Sequence, residues 1–327
     1  MRELVALGMR NKFTPWSGKG GRHGPVSTGR SIVSTCAAAV SIAGNPSDEF
    51  GGGAVAIPIP DLTAMAAVHE AEGGSFGHRP TDATPPGLAD AIADAYSARF
   101  GSVPPVELSL SSNIPAGVGL AAGSALVIAT LRSLAAFESR PVDPDELITI
   151  TSNVLGGSDE TGRAVLLVQA IGKSTALALG PDGRESIPIP DDAPFFVAWS
   201  TSDSTEPIAA TMRSLRRRFE GDHPEVVGAV EEWRVQAGRA RRGLLAGDTR
   251  LVADAMHRTL ATRLRVSEVS STARRLIELG RTAGAAVNTP GGAGSIVGLA
   301  RHGDHLELVR AAFADAGVDV VDAVDTA

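Results

Sequence analysis

A two-domain protein of mixed α and β structure is predicted by three observations. The chain has 327 residues, which at about 150 residues per domain suits two domains. Strand-patterned and helix-patterned segments follow one another without a run of βαβ units. A proline-spaced stretch, Ile187 to Pro194, separates two such series and sets the expected boundary near residue 190. Hydrophobic residues make up 43% of the chain and charged residues 20%, enough apolar surface to exclude a wholly disordered protein. A net charge of −7 argues against a dedicated nucleic-acid binder, which needs a basic surface. The single cysteine, Cys36, excludes an intrachain disulfide and a thiolate zinc site and suits a reducing, cytoplasmic setting. No apolar run approaches the roughly 18 residues of a membrane span.

The elements are expected in this order. Residues 1–36 form a basic arm with Arg10, Lys12, Lys19, Arg22 and Arg30 among Gly, Ser and Pro, too polar for a core. From about Ala37, Ala38–Ala43 patterns as a strand, followed by a polar turn, Gly44-Asn-Pro-Ser-Asp48, and by Gly51-Gly-Gly53. Strands are expected at 54–59 and 62–70, a loop over 73–86, and a helix over 86–100 from the spacing of Leu88, Ile92, Tyr96 and Phe100. A strand at 106–110 leads through a Gly-rich loop into an apolar helix at 124–137. Asp143 and Pro144 suit the cap and first position of another helix. Helix-like 162–171 and strand-like 174–179 close the first series. The second runs strand 195–199, helices over 206–219, 223–246, 248–263 and 267–282, strand 285–288, a second Gly-rich turn, strand 295–300, helix 305–316 and strand 318–321. The expected division is thus 1–36 arm, 37–190 first domain and 191–327 second domain.

The loop Ile114-Pro-Ala-Gly-Val-Gly-Leu-Ala-Ala-Gly-Ser-Ala125 carries the strongest chemical signal. Its glycines permit close approach of a ligand to the main chain, and it feeds a helix whose first amides lack intrahelical partners and whose dipole is positive there. A polyphosphate suits that geometry; a plain strand-to-helix turn is the alternative. Ser124, at the start of the helix, can ligate Mg²⁺ or cap. Two other nucleotide patterns fail. Gly172-Lys-Ser174 lacks the glycine a Walker A loop needs, with Leu167 in its place, and Gly117-x-Gly119 is followed by Gly123, one residue off the dinucleotide fingerprint. Arg213, Arg216, Arg217 and Arg218 put positive charge on one helix, either as a solvated face or to meet a carboxylate or phosphate. The histidines show no paired metal spacing.

Three segments in order, Gly44-Asn-Pro-Ser-Asp48, Pro115-x-Gly-x-Gly-Leu-x-x-Gly-Ser-Ala125 and Gly284-Ala-Ala-Val-Asn-Thr-Pro-Gly-Gly-Ala-Gly294, resemble the three motifs of the GHMP small-molecule kinases. The likeness spans roughly residues 37–322. It is greatest to the glucuronokinase branch, with a weaker one to L-threonine kinases through Val287-Asn288 and Gly294-Ser-Ile-Val-Gly-Leu299. The resemblance implies an α+β GHMP kinase fold: a ribosomal-S5-like N-terminal domain and a ferredoxin-like C-terminal domain, as a monomer or homodimer. It implies ATP and Mg²⁺ as cofactors, with the phosphates on Pro115, Gly117, Gly119, Leu120, Ala121, Ala122, Gly123, Ser124 and Ala125. Asn45, Ser47, Asp48, Gly291 and Gly292 would contact a sugar, sugar acid or sugar phosphate, phosphorylated on a hydroxyl, the anomeric one by preference. Ser124 and Asp159 would be the catalytic and metal-holding residues.

The pattern also departs from the family. The Asp that family members place about seven residues before a Gly-Gly turn falls on Val165, which makes Asp159, in Gly156-Gly-Ser-Asp-Glu160, the nearest substitute. Ala39 stands where a basic residue is common, and Gly123 replaces the first Ser of Ser-Ser-Ala. A cation from the arm can stand in for the missing basic residue. A kinase of an amino-acid hydroxyl, or a nucleotide-binding protein without catalysis, are the alternative expectations.

Overall fold

The computed structural model describes residues 29–71, 73–81, 84–156, 161–173, 176–180, 183–190, 193–200, 208–291 and 294–323. Two sheets organise them. The first contains β1 (Ser31–Ala43), β2 (Ala54–Glu70), β3 (Gly77–Arg79), β4 (Val106–Ser112), β5 (Ala176–Gly180) and β6 (Gly183–Ile187). Its order is β3-β4-β2-β5-β6, with β1 antiparallel to β2. The second contains β7 (Phe195–Trp199), β8 (Ala286–Asn288), β9 (Ser295–Leu299) and β10 (Asp319–Asp322), in the antiparallel order β10-β7-β9-β8.

β2 is one strand of 17 residues, not the two expected, and it holds the first sheet together. Its start pairs with β5, its end with β4, and β1 runs along it. The pairing with β1 jumps from Ala37–Thr63 to Ala38–Ile59, so residues 60–62 bulge out. Pro60 sits in that bulge, where its missing N–H breaks no ladder bond. β1 starts at Ser31, six residues before the expected start near Ala37, because Ile32, Val33 and Thr35 are β-branched and pair with the end of β2. Arg30 is also ordered: it bonds the Ala136 carbonyl at 3.2 Å and stacks over Phe137. β3 and β6 were not anticipated; both are short edge strands.

The helices α1 (Leu88–Phe100), α2 (Ala122–Phe137), α3 (Pro144–Val154) and α4 (Arg163–Ile171) belong to the first series, and α2 and α4 pack on β1 and β2. Asp143 caps α3 through the Glu146 amide at 2.9 Å, with Pro144 at the first helical position, as expected. Between β7 and β8 run α5 (Ile208–Glu220), α6 (Pro224–Ala246), α7 (Thr249–Val266) and α8 (Ser271–Thr282); α9 (Gly303–Asp315) joins β9 to β10. The second half thus has the β-α-β-β-α-β order of a ferredoxin-like unit. One apolar core runs through both sheets, from Val40 and Ile57 through Leu120 and Val127 to Phe195, Val197 and Val297. Burying apolar side chains across that seam fixes the two halves and the cleft between them. Among the described residues no helix is long and apolar enough to cross a membrane.

Candidate functional site

The three Gly-containing segments converge on one cleft. Its walls include Ser41 near the end of β1, Asn45, Asp48 and Glu49 from the turn that follows, and Gly119 and Ala121 from the second segment. Pro290 and Gly291 come from the third, Thr161, Gly162 and Val165 from the start of α4, and Arg263 from α7. Hydrogen bonds stitch the segments together. Asn45 Nδ2 donates to the Thr289 and Pro290 carbonyls at 3.2 and 3.0 Å, and Asn288 Nδ2 donates to Asn45 Oδ1 at 2.9 Å. Ser295 Oγ donates to the Val118 carbonyl at 2.7 Å. Asn45 therefore lines the cleft with both ends of its amide engaged by the scaffold.

The loop before α2 is shaped by its own alternation. Val118 and Leu120 are buried in the core, which turns Gly119 and Ala121 toward the cleft and leaves Gly117 exposed. Gly117 and Gly119 have φ of 74° and 89° and Ala121 has 60°, a left-handed conformation that costs a non-Gly residue about 1–2 kcal/mol. Gln169 Nε2 holds the Ala121 carbonyl at 3.1 Å and so supports that conformation. α2 begins without a side-chain cap and without an acid in its first turn. The amides of Ala122, Gly123 and Ser124 and the positive end of the dipole thus open at the loop.

Ser124 corrects an expectation. Its hydroxyl does not face the cleft: it is buried and donates to Gln169 Oε1 at 2.6 Å, with the Ala121 carbonyl 3.1 Å away. The reason is helical register, since position 124 shares the inward face of α2 with Ile128 and Leu131. As a metal ligand Ser124 does not fit. Ser124→Ala is expected to cost about 1–3 kcal/mol by leaving Gln169 Oε1 unpaired. Thermal denaturation reads that loss, while calorimetry with the ATP analogue AMPPNP finds affinity held. A ligand to the metal would show the reverse pattern.

Ser47 is corrected likewise. It is buried with its Oγ donating to the Gly53 carbonyl at 2.6 Å and accepting the Gly53 amide at 3.0 Å, so it folds the turn and does not line the cleft. Leu120 and Ala125 are core residues. Pro115 is half-buried at the base of the loop. Asp159 and Gly292 lie outside the described residues. Arg30 cannot replace a missing cation, because it sits at the C-terminal end of the 16-residue α2, about 24 Å from the loop. On α5, Arg216 reaches Glu49 at 3.5 Å and Arg218 bonds the Val266 carbonyl at 2.7 Å, while Arg213 and Arg217 are exposed.

Asp48, Glu49 and Arg263 are the charged residues of the cleft wall among the described residues. Asp48 belongs to a 3-10 turn, Ser47–Phe50, whose carboxylates reach the start of α4. Asp48 Oδ2 accepts the Ala164 amide and Glu49 Oε1 the Arg163 amide, each at 2.9 Å, and these two stand in for a cap that Gly162 cannot provide. Burial pushes the Asp48 carboxyl above the usual carboxylate range, against the opposing pull of the Ala164 amide and of Arg263. Arg263 is 2% exposed, donates to the Asn45 carbonyl at 3.2 Å and lies 5.9 Å from the Trp233 ring centroid. Burial draws its guanidinium down to about 10, with Asp48 opposing. The sequence reading missed Arg263. The available signal was an arginine on the apolar stripe of α7, in phase with Val252, Met256, Thr259 and Val266.

Residues 87–163 match the family described as GHMP kinases N terminal domain. The mevalonate kinase of Archaeoglobus fulgidus is 31% identical over 135 residues, 40% of this chain and 44% of that enzyme. Lactococcus lactis galactokinase, solved with galactose, superposes with a TM-score of 0.70 at 13% identity, covering 89% of this chain and 92% of the other. Streptococcus pneumoniae phosphomevalonate kinase, solved with phosphomevalonate and AMPPNP, gives a TM-score of 0.68 at 14% identity, covering 89% and 99%. The chain has the GHMP kinase fold. The sequence match thus spans under half of the curated relative, whereas the GHMP kinase fold extends over nine-tenths of this chain. Its Gly-rich loop lies inside the matched segment, and Asp48 and Arg263 lie outside it.

Proposed function

We propose that this chain is an ATP- and Mg²⁺-dependent kinase that transfers the γ-phosphoryl group to a hydroxyl of a sugar, sugar acid or sugar phosphate, the anomeric hydroxyl by our reading. The observation that carries the proposal is the shared cleft: Gly119 and Ala121 of the loop before α2 face the same space as Asp48 and Arg263. Phosphoryl transfer asks mainly for positioning and for neutralisation of phosphate charge. The open amides of α2 and its dipole meet the triphosphate, and the acid-free first turn leaves nothing there to repel it. Mg²⁺ would supply charge neutralisation on the β- and γ-phosphates. With Ser124 turned into the core, Asp159 is the residue we assign to hold the metal or orient the acceptor, on sequence grounds alone. Gly291 borders the acceptor side, and Gly292 follows it. Arg263 puts a guanidinium on the cleft wall beside Asp48 and Glu49, where it can meet an anionic group of the acceptor, in keeping with the glucuronokinase-like first motif.

The test is phosphate transfer from ATP with Mg²⁺ to a panel of D-glucuronate, D-galacturonate, D-galactose, mevalonate, L-homoserine and L-threonine. Preferred transfer to a sugar acid supports the proposal. Preference for L-threonine or L-homoserine moves the acceptor class to amino acids, and AMPPNP binding without any transfer turns the chain into a nucleotide-binding protein.

A further inference from the structure

Val165 stands on the cleft wall in the first turn of α4, and its side chain cannot take a proton. Among the described residues the carboxylates on that wall are Asp48 and Glu49. Glu49 is engaged on both oxygens, by the Arg163 amide at 2.9 Å and by Arg216 at 3.5 Å. Asp48 is engaged on one only. Its Oδ2 accepts the Ala164 amide, whereas Oδ1 is equally buried and has no hydrogen-bond partner. A buried acceptor without a partner is uncommon and costly, and it points to a group that arrives with the ligand.

Building on the phosphotransferase reading above, we infer that Asp48 Oδ1 is the acceptor of the substrate hydroxyl's proton. In that step the hydroxyl oxygen forms a bond to the γ-phosphorus of ATP. The bond from that phosphorus to the β,γ-bridging oxygen breaks, its electron pair leaves with ADP, and the hydroxyl proton passes to Oδ1. The tether to Ala164 fixes the carboxylate's orientation and reserves Oδ1 for the substrate. Burial makes the carboxylate more basic than an ordinary one, which favours its taking a proton. The charged groups around it are Arg263 on α7, Arg163 on α4, Glu49 on its own turn and Arg216 on α5. Arg263 and Arg163 pull the carboxyl toward its ionised form, against the larger effect of burial.

The experiment uses the acceptor that the unaltered protein phosphorylates best in the panel. Asp48→Asn keeps an oxygen for the Ala164 amide and removes the base. Turnover is expected to fall on the order of 10² to 10⁴-fold, with the acid limb of the kcat/KM profile abolished. AMPPNP affinity by calorimetry should stay within about threefold. Arg263→Gln withdraws a positive neighbour, so the acid limb should move to higher pH by roughly half a unit or more. An unaltered rate or a surviving acid limb in Asp48→Asn overturns the assignment and leaves the kinase reading standing. Loss of the limb in Asp159→Asn with its survival in Asp48→Asn hands the proton to Asp159. If Asp48→Asn does not fold, Arg263→Gln decides, and an unmoved limb overturns the inference. A protein that transfers phosphate to no panel member and binds no AMPPNP fails the kinase reading itself.

Discussion

Ala122→Asp is expected to weaken AMPPNP binding by two to three orders of magnitude with only a small change in the stability of the fold, the dipole gain offsetting the loss of Ala122 packing against the core. Ala122 is the first residue of α2, half-buried beside the cleft loop, in a first turn that carries no acid. In the free protein a carboxylate there faces the positive end of the helix dipole and should add about 0.3–1 kcal/mol of stability. With a triphosphate at the same amides the new charge repels it. At about 4 Å and an effective dielectric of about 20 the repulsion is roughly 4 kcal/mol, close to a thousandfold in affinity. Ala122→Asn is the neutral control and should lose less than about tenfold, since it adds similar bulk without charge. Calorimetry and thermal denaturation read the two effects separately. Unchanged affinity in Ala122→Asp would place the phosphates away from α2.

Much of the frame was legible because its signals are local. The cap at Asp143, the apolar periods of α1 and α6 to α9, and the left-handed glycines before α2 follow from side-chain type and spacing. The edge strands β3 and β6 were not legible: three and five residues long, they are held by pairing with β4 and β5, and pairing partners are not written in a short segment. The same limit explains Ser124. A small polar residue at the start of a Gly-rich loop's helix suits both a metal ligand and a cap. Its true partner, Gln169, lies 45 residues away on α4 and meets it only after both helices pack on β1.

The site shows the same division. Asp48 lines the cleft, presented there by the Gly44–Asp48 turn, which bonds to itself. What surrounds Asp48 was not legible. Glu49 and Asp48 act as a cap for α4 across more than a hundred residues, and Arg263 comes from the second half of the chain. Gln169 joins three elements at once: its side chain bonds Ser124, Ala37 and Ala121, and its carbonyl lies 3.8 Å from the buried Cys36 thiol. Such tertiary polar contacts leave little mark on a linear sequence beyond one anomaly, a polar residue on an otherwise apolar face.

Gly44→Ala is expected to be among the most damaging single substitutions in the chain. Gly44 has φ of 85°, which costs a residue with a Cβ about 1–2 kcal/mol. The added Cβ would also lie 2.6 Å from Ala237 Cβ on α6 and 2.6 Å from the Gly53 carbonyl oxygen. Neither neighbour is the loose end of a side chain, so the overpacking adds about 1–3 kcal/mol. Together these take a large share of the roughly 5–15 kcal/mol that holds a typical domain. The consequence reaches the cleft. The Gly44 amide donates to Thr259 Oγ1 at 3.1 Å, and Thr259 lies one turn before Arg263 on α7. Pushing the turn off α6 therefore loosens the seating of Arg263 against Asn45 and Asp48 as well as the fold. Denaturation should show the loss, and Ala237→Gly in the same chain should restore only part of it, because the left-handed φ and the Gly53 carbonyl remain. A Gly44→Ala protein as stable as the parent would mean that this turn does not hold the two halves together, and the cleft built on it would have to be redrawn.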